Sequence, residues 1–200
     1  MIIGLTGGIA SGKSFISEEL KKRGFPVIEA DEAAREVVEP GEQAYEQVVE
    51  QFGTDVLEVD GTLARKKLGK VIFADDSKRQ ILNQIMHPAI RQRMLQKKTT
   101  LEDEGEKVIV FDLPLLIENN LQFMVDKVLL VYVEETEQKK RLIKRDQAGE
   151  EDAEQRLASQ LPMSEKQAYA DAVIDNNGTR AQSLQQLEEI LKRWNIQSPS

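Results

Sequence analysis

No cysteine occurs in the 200 residues, which excludes disulfides and thiolate metal sites and suits a reducing cytosol. No apolar run approaches the ~18 residues of a membrane span, and the amino terminus has no charged, leader-like segment ahead of a long apolar one. A soluble, unexported, cytoplasmic chain that does not engage a membrane is therefore expected. Positive charge is also scarce: 27 Lys and Arg against 35 Asp and Glu leave a formal charge of −8. Broad nucleic-acid binding is disfavoured, because affinity for a phosphate backbone is built from net basic surface. Internal repeats and low-complexity linkers are absent. The length suits one domain that buries ~70% of its unfolded surface.

Glycine is instead concentrated at one place. The apolar run Met1-Ile2-Ile3-Gly4-Leu5-Thr6 leads into Gly7-Gly8-Ile9-Ala10-Ser11-Gly12-Lys13-Ser14 and then into a helical pattern closed by Gly24. The spacing G-x-x-x-x-G-K-[ST] between a strand and a helix is that of a phosphate-binding loop. Its glycines let backbone N–H groups converge on phosphate oxygens, its lysine reaches the β- and γ-phosphates, and its hydroxyl holds Mg²⁺. Lys13 and Ser14 take those two positions, at the positive end of the helix.

The remaining pattern alternates apolar runs with helical segments, as in a parallel sheet with crossover helices. Strands are predicted at 1–6, 26–30, 108–111, 128–133 and 172–174, and the unbroken apolarity of the third and fourth suits burial on both faces. The long stretch between the second and third strands reads as a helical insertion over 32–104, fit to hold a second substrate. Breaks are expected at 53–61 and at His87-Pro88, and a capping box at Ser77 with Gln80. The last helix is predicted to start near Thr179, with Gln182 completing a second box and Leu184, Leu187, Ile190 and Leu191 turned inward.

Asp31 and Asp112 each follow a predicted strand. In a parallel sheet such strand ends share one crevice, so Asp31 is expected to face the loop as a base for an acceptor hydroxyl, with helix capping as its plainer role. Asp112 is the candidate carboxylate for Mg²⁺, directly or through water, with a turn residue before Pro114 as the alternative. The charged segment 134–162 reads as a lid. Arg141 and Arg145, four residues apart, would fork over the phosphate, unless they form a solvated face in which Glu137 pairs with Arg141. His87, with Arg91 and Arg93 nearby, allows contact with substrate, although a lone histidine is more often structural. The Asp175-Asn176-Asn177-Gly178 turn could touch adenine. The guanine-reading tetrapeptide Asn-Lys-x-Asp does not occur, which disfavours a GTPase. A kinase of some other small molecule and a non-enzymatic nucleotide switch both stay open on these residues alone.

Taken in order, Gly4 to Ile9 into Ser11 to Ser14, Ala30-Asp31 with Ala34-Arg35, His87-Pro88-Ala89-Ile90, Pro114 to Glu118, Gln138 to Arg145, Arg156 to Gln160 and Asp175 to Gly178 resemble the dephospho-coenzyme A kinases along the whole chain. The resemblance implies a nucleoside-monophosphate-kinase-like core with an acceptor-binding region and a lid. It also implies transfer of the ATP γ-phosphoryl to the ribose 3′-hydroxyl of dephospho-coenzyme A, the last step of coenzyme A synthesis. By it, Lys13, Asp31 and Arg141 are the catalytic positions, and Gly8, Ile9, Ala10, Ser11, Gly12, Lys13, Ser14, Phe15, Arg141 and Asn177 line ATP. Asp31, Arg35, His87, Asp112 and Leu115 meet the acceptor, and Ser14 and Asp112 serve Mg²⁺. A monomer is expected, with a higher oligomer left open. Ala10, Glu29 and Phe15 depart from the family's usual glycine, aspartate and threonine without removing a catalytic atom.

Overall fold

Every residue of β1 (Ile2–Gly7) is buried, as its unbroken apolarity requires of a strand covered on both faces. In the computed structural model, which describes residues 1–147 and 149–198, β1 lies in the middle of a five-stranded sheet. The strands β2 (Val27–Glu29), β3 (Ile109–Asp112), β4 (Lys127–Tyr132) and β5 (Ala172–Asp175) complete it in the order β2-β3-β1-β4-β5. β1 pairs in parallel with both β3 and β4, and β4 with β5. This is the parallel phosphate-loop architecture expected from the sequence. Position 148, inside the stretch expected to form a lid, lies outside the described residues, as do 199 and 200.

The chain divides into two compact units, one of Met1–Val27 with everything from Leu101 onward, the other of Ile28–Thr100. The first unit holds α1 (Lys13–Lys22), directly after the loop. Its core joins Ile3 and Leu5 of β1, Ile16 and Leu20 of α1, and Leu129 and Val131 of β4.

The second unit contains α2 (Ala30–Glu36), α3 (Gln43–Phe52), α4 (Arg65–Ala74) and most of α5 (Asp76–Asp103). The expected break at 53–61 is present as a 3-10 turn, Thr54–Val56, entered through Gly53. The expected break at His87-Pro88 is not: α5 runs through Pro88 without interruption. Proline has a helix-compatible φ and forfeits one backbone hydrogen bond, a loss of about 3 kcal/mol. Here Ile85, Met86, Ala89 and Ile90, on either side of it, pack on Val37, Val38 and Ala44, and that burial outweighs the local penalty. The Ser77–Gln80 capping box is also replaced. Asp75 Oδ1 accepts from Ser77 N at 2.9 Å and Ser77 Oγ at 2.6 Å, so the cap lies two residues earlier.

An ion network joins α2 to α5 within this unit. Arg93 reaches Glu36 at 3.1 Å and Glu42 at 2.8 Å, and Lys97 reaches Glu32 at 3.1 Å and also pairs with Glu36. Burial alone would raise the Glu36 pKa, but hydrogen bonds from Lys97 and Arg93 outweigh it and hold the carboxyl below its ordinary value.

Downstream in the first unit come α6 (Glu135–Asp146), α7 (Glu150–Ala158), α8 (Met163–Lys166) and α9 (Arg180–Arg193). Thr179 and Gln182 form the reciprocal capping box expected of them. Leu187, Ile190 and Leu191 then enter the sheet core, with Leu184 half-buried. Among the described residues, no helix is long and apolar enough to cross a membrane.

Candidate active site at the phosphate-binding loop

The loop leaves β1 at Gly7 and enters α1 through Gly12, whose φ of +91 lies in the left-handed region. A Cβ there would also stand 2.1 Å from Asn176 Nδ2, so glycine is required for both conformation and space. Ala10 has a φ of +58 although it carries a Cβ. That conformation costs such a residue about 1–2 kcal/mol, so the surroundings must hold it.

Lys13, the first residue of α1, forms an ion pair with Asp112, the last residue of β3. The parallel register sets Asp112 beside Leu5, close to where β1 gives way to the loop. Asp112 is buried, and the lysine compensates its charge. Ser14 is exposed in the first turn of α1. Phe15, half-buried against the sheet core, also lies under the Arg180 guanidinium, 5.1 Å from its ring centroid, a cation–π contact.

Three polar side chains hold the loop from behind, a role the sequence assigned to none of them. Asn176, just beyond β5, donates through Nδ2 to the Ser11 carbonyl at 2.7 Å, and its Oδ1 accepts from Ser183 Oγ at 2.7 Å. Gln138 of α6 donates to the Ile9 carbonyl at 2.6 Å, and Gln160 Oε1 accepts from the Ile9 N–H at 2.8 Å. A signal for Gln138 existed. It is buried one helical turn before buried Leu142, a polar residue on an apolar stripe. Asn176 belongs to the turn expected to touch adenine, and its side chain holds the loop from the far side instead. Asn177 accepts from Glu134 N, just before α6, at 2.9 Å and donates to Asp175 Oδ1 at 2.7 Å.

Arg141 joins this assembly, donating to the Asn176 carbonyl at 2.9 Å and to Glu137 at 2.9 Å. The fork expected of Arg141 and Arg145 is not formed. Arg145 turns to Asp146 at 2.7 Å, and Arg156 reaches the same carboxylate at 2.7 Å. The Arg145 hydrogen bond holds the Asp146 carboxyl below the usual carboxylate range.

The acceptor candidates divide between the units. Leu115, in the turn after β3, is 39% exposed. Asp31, Arg35 and His87 belong to the second unit and are exposed. Glu29 is the residue preceding α2, and Asp31 sits within its first turn. No hydrogen bond or ion pair engages the Asp31 carboxylate among the described residues, so capping does not explain it. Arg93, expected near substrate, is occupied by Glu36 and Glu42.

Mg²⁺ fits the donors present. A serine hydroxyl at the loop and one buried carboxylate at a strand end are the hard oxygen ligands it takes beside phosphates. No cluster of three or more acidic, histidine or cysteine side chains able to cage a metal occurs among the described residues.

A parallel sheet with this loop after its central strand, and a strand-end carboxylate on the loop lysine, defines a phosphate-loop enzyme of the small-molecule kinase type. The comparisons narrow that class. The dephospho-CoA kinase family profile matches residues 1–182, and the chain belongs to that family. It is 54% identical to a dephospho-CoA kinase of Halalkalibacterium halodurans over 98% of each chain. Among solved structures, that of a Thermus thermophilus protein aligns with a TM-score of 0.80 at 28% identity, covering 96% of this chain and 97% of that one. The dephospho-CoA kinase from Campylobacter jejuni aligns with a TM-score of 0.73 at 28% identity over 98% of both chains.

Proposed function

We propose that this chain transfers the γ-phosphoryl group of ATP to the ribose 3′-hydroxyl of dephospho-coenzyme A, yielding coenzyme A and ADP. Family membership along nearly the whole chain, joined to an intact phosphate-binding loop, carries this reading.

In the reaction the 3′-oxygen forms a bond to Pγ, the bond from Pγ to the bridging β,γ-oxygen breaks, and the hydroxyl proton leaves to a base. Asp31 is the base: an exposed, unengaged carboxylate following β2. Lys13 neutralises charge on the β- and γ-phosphates, exchanging its Asp112 partner for phosphate oxygens. Ser14 and Asp112 would hold Mg²⁺, which supplies charge neutralisation when bound. Arg141 offers a guanidinium whose orientation is set by Glu137 and Asn176. The segment 134–162 serves as a lid that excludes water, and Arg35, His87 and Leu115 contribute to the acceptor site. The enzyme acts in the cytoplasm as a monomer.

The test is Mg²⁺-dependent ADP release with dephospho-coenzyme A, run beside nucleoside, nucleotide and sugar-acid acceptors and a control without acceptor. Stimulation by dephospho-coenzyme A with coenzyme A as product is expected. Stimulation by a different acceptor, or by none, overturns the assignment.

A further inference from the structure

Ile9 is gripped at both of its backbone polar groups by side chains far away in sequence. Gln138 donates to its carbonyl at 2.6 Å and Gln160 accepts from its N–H at 2.8 Å. The chemistry of the backbone partners sets the orientation of both amides, since a carbonyl needs a donor and an N–H an acceptor. The described residues contain no cis peptide bond. In the trans Ile9–Ala10 peptide the carbonyl and the Ala10 N–H therefore point in opposite directions. Holding the carbonyl toward Gln138 aims the Ala10 N–H the other way, away from that glutamine. Ala10 is also the loop residue with a Cβ in the left-handed region, the conformation most in need of an external hold.

The neighbouring glycine fits the same arrangement. A Cβ on Gly8 would stand 2.5 Å from Gln138 Nε2 and 2.7 Å from Met163 Sδ, so the bare backbone at position 8 is what lets Gln138 reach Ile9.

We infer that Gln138 and Gln160 are positioning residues of the nucleotide site, a two-sided clamp on Ile9 that fixes the Ile9–Ala10 peptide with its N–H turned toward the phosphates. The clamp hangs on the proposed lid segment at two points, one near its start on α6 and one near its end beyond α7. An arrangement of that segment that displaces either glutamine loosens the loop, so segment and loop respond to nucleotide together. The inference rests on the reading of the loop as the ATP site, not on the identity of the acceptor.

Both glutamines line a cavity of about 570 Å³, so leucine at either position removes the hydrogen bonds without overpacking. The test measures Mg·ADP affinity of the full chain by calorimetry, without acceptor, for Gln138→Leu, Gln160→Leu, Gln138→Glu and Gln160→Glu, each checked for folding by circular dichroism. Each leucine variant is expected to bind ADP roughly tenfold more weakly, the scale of one well-placed hydrogen bond. The glutamates should split. Gln160→Glu keeps an acceptor for the Ile9 N–H and binds at least threefold tighter than Gln160→Leu, whereas Gln138→Glu sets a carboxylate against a carbonyl and binds no better than Gln138→Leu. A merely structural role would not produce opposite responses to the same substitution. Folded leucine variants within twofold of the parent, or glutamates that fail to split, overturn the clamp. A parent that does not bind ADP overturns both clamp and phosphate-loop reading. A parent that binds ADP but does not phosphorylate dephospho-coenzyme A removes the proposed acceptor and leaves the clamp standing.

Discussion

Asn176 and Ser11, 165 positions apart, are joined by a buried hydrogen bond of 2.7 Å from the asparagine amide to the loop carbonyl. The same asparagine accepts from Ser183 through its side chain and from Arg141 through its backbone carbonyl. A single residue thus ties the phosphate-binding loop to α9 and to the first helix of the proposed lid. Asn176→Ala leaves the Ser11 carbonyl and the Ser183 hydroxyl without that partner, a loss of about 1–3 kcal/mol for each group. Thermal unfolding should show a clearly lowered Tm, and ADP binding should weaken in the protein that remains folded. An unchanged Tm would remove Asn176 from the support of the loop.

Lys13→Ala is expected to lower phosphoryl transfer by ~10² or more, as for other electrostatic donors at a transition state. It also strands buried Asp112, a destabilisation near 3 kcal/mol, the lower end for a broken buried pair. Adding Asp112→Asn should recover part of that stability and none of the activity. Denaturant titrations of the single and double variants, run beside the transfer assay, separate the two effects.

Asp31→Asn should lower kcat by ~10² or more while Mg·ATP affinity survives, as the proposed role on the acceptor's proton requires. Steady-state kinetics with both substrates varied provides the check. A lost ATP affinity with unchanged kcat would contradict the role.

The Glu36 network makes the second unit sensitive to acid. Glu36 titrates below the ordinary glutamate value in the folded chain, so its contribution is fully present above that ordinary value and is lost as pH falls through the lower folded one. Glu36→Gln should flatten the dependence of stability on pH in this acidic window and leave the slope near neutrality unaltered. Unfolding followed from pH 6 downward for parent and variant tests this.

Lys166 is fully buried, its Nζ 2.6 Å from Glu118 Oε1. Lys166→Met should destabilise the first unit by about 3–5 kcal/mol through the uncompensated carboxylate. Glu118→Gln in the same chain should return much of that loss. A double variant no more stable than Lys166→Met alone would show that the lysine's packing, and not its charge, matters.

Much of this was legible in the chain because it is local. A strand of unbroken apolarity, a glycine-rich turn and a lysine at the head of a helix follow from neighbours within a few residues. So does the capping box of Thr179 and Gln182, which depends on a three-residue spacing. Local reading failed where a competing local signal or distant packing prevailed. Asp75 displaced Ser77 as the cap of α5, and burial of Ile85, Met86, Ala89 and Ile90 carried that helix through Pro88. Arg145 found a nearer carboxylate in Asp146 than any role beside Arg141.

The sequence by itself determined the strands, the glycine-rich loop and the lysine at the head of the first helix, since periodicity and motif spacing are properties of short segments. The tertiary structure alone decided what holds the loop in shape. Gln138, Gln160 and Asn176 are ordinary polar residues at separations of 129, 151 and 165 from their loop partners. They meet the loop because the order β2-β3-β1-β4-β5 sets β1 beside β4, and β4 beside β5, so the segments after those strands emerge next to the end of β1. Hydrogen-bond donors and acceptors have no sequence period, and only the packing of distant strands brings them within 3 Å of the backbone they hold.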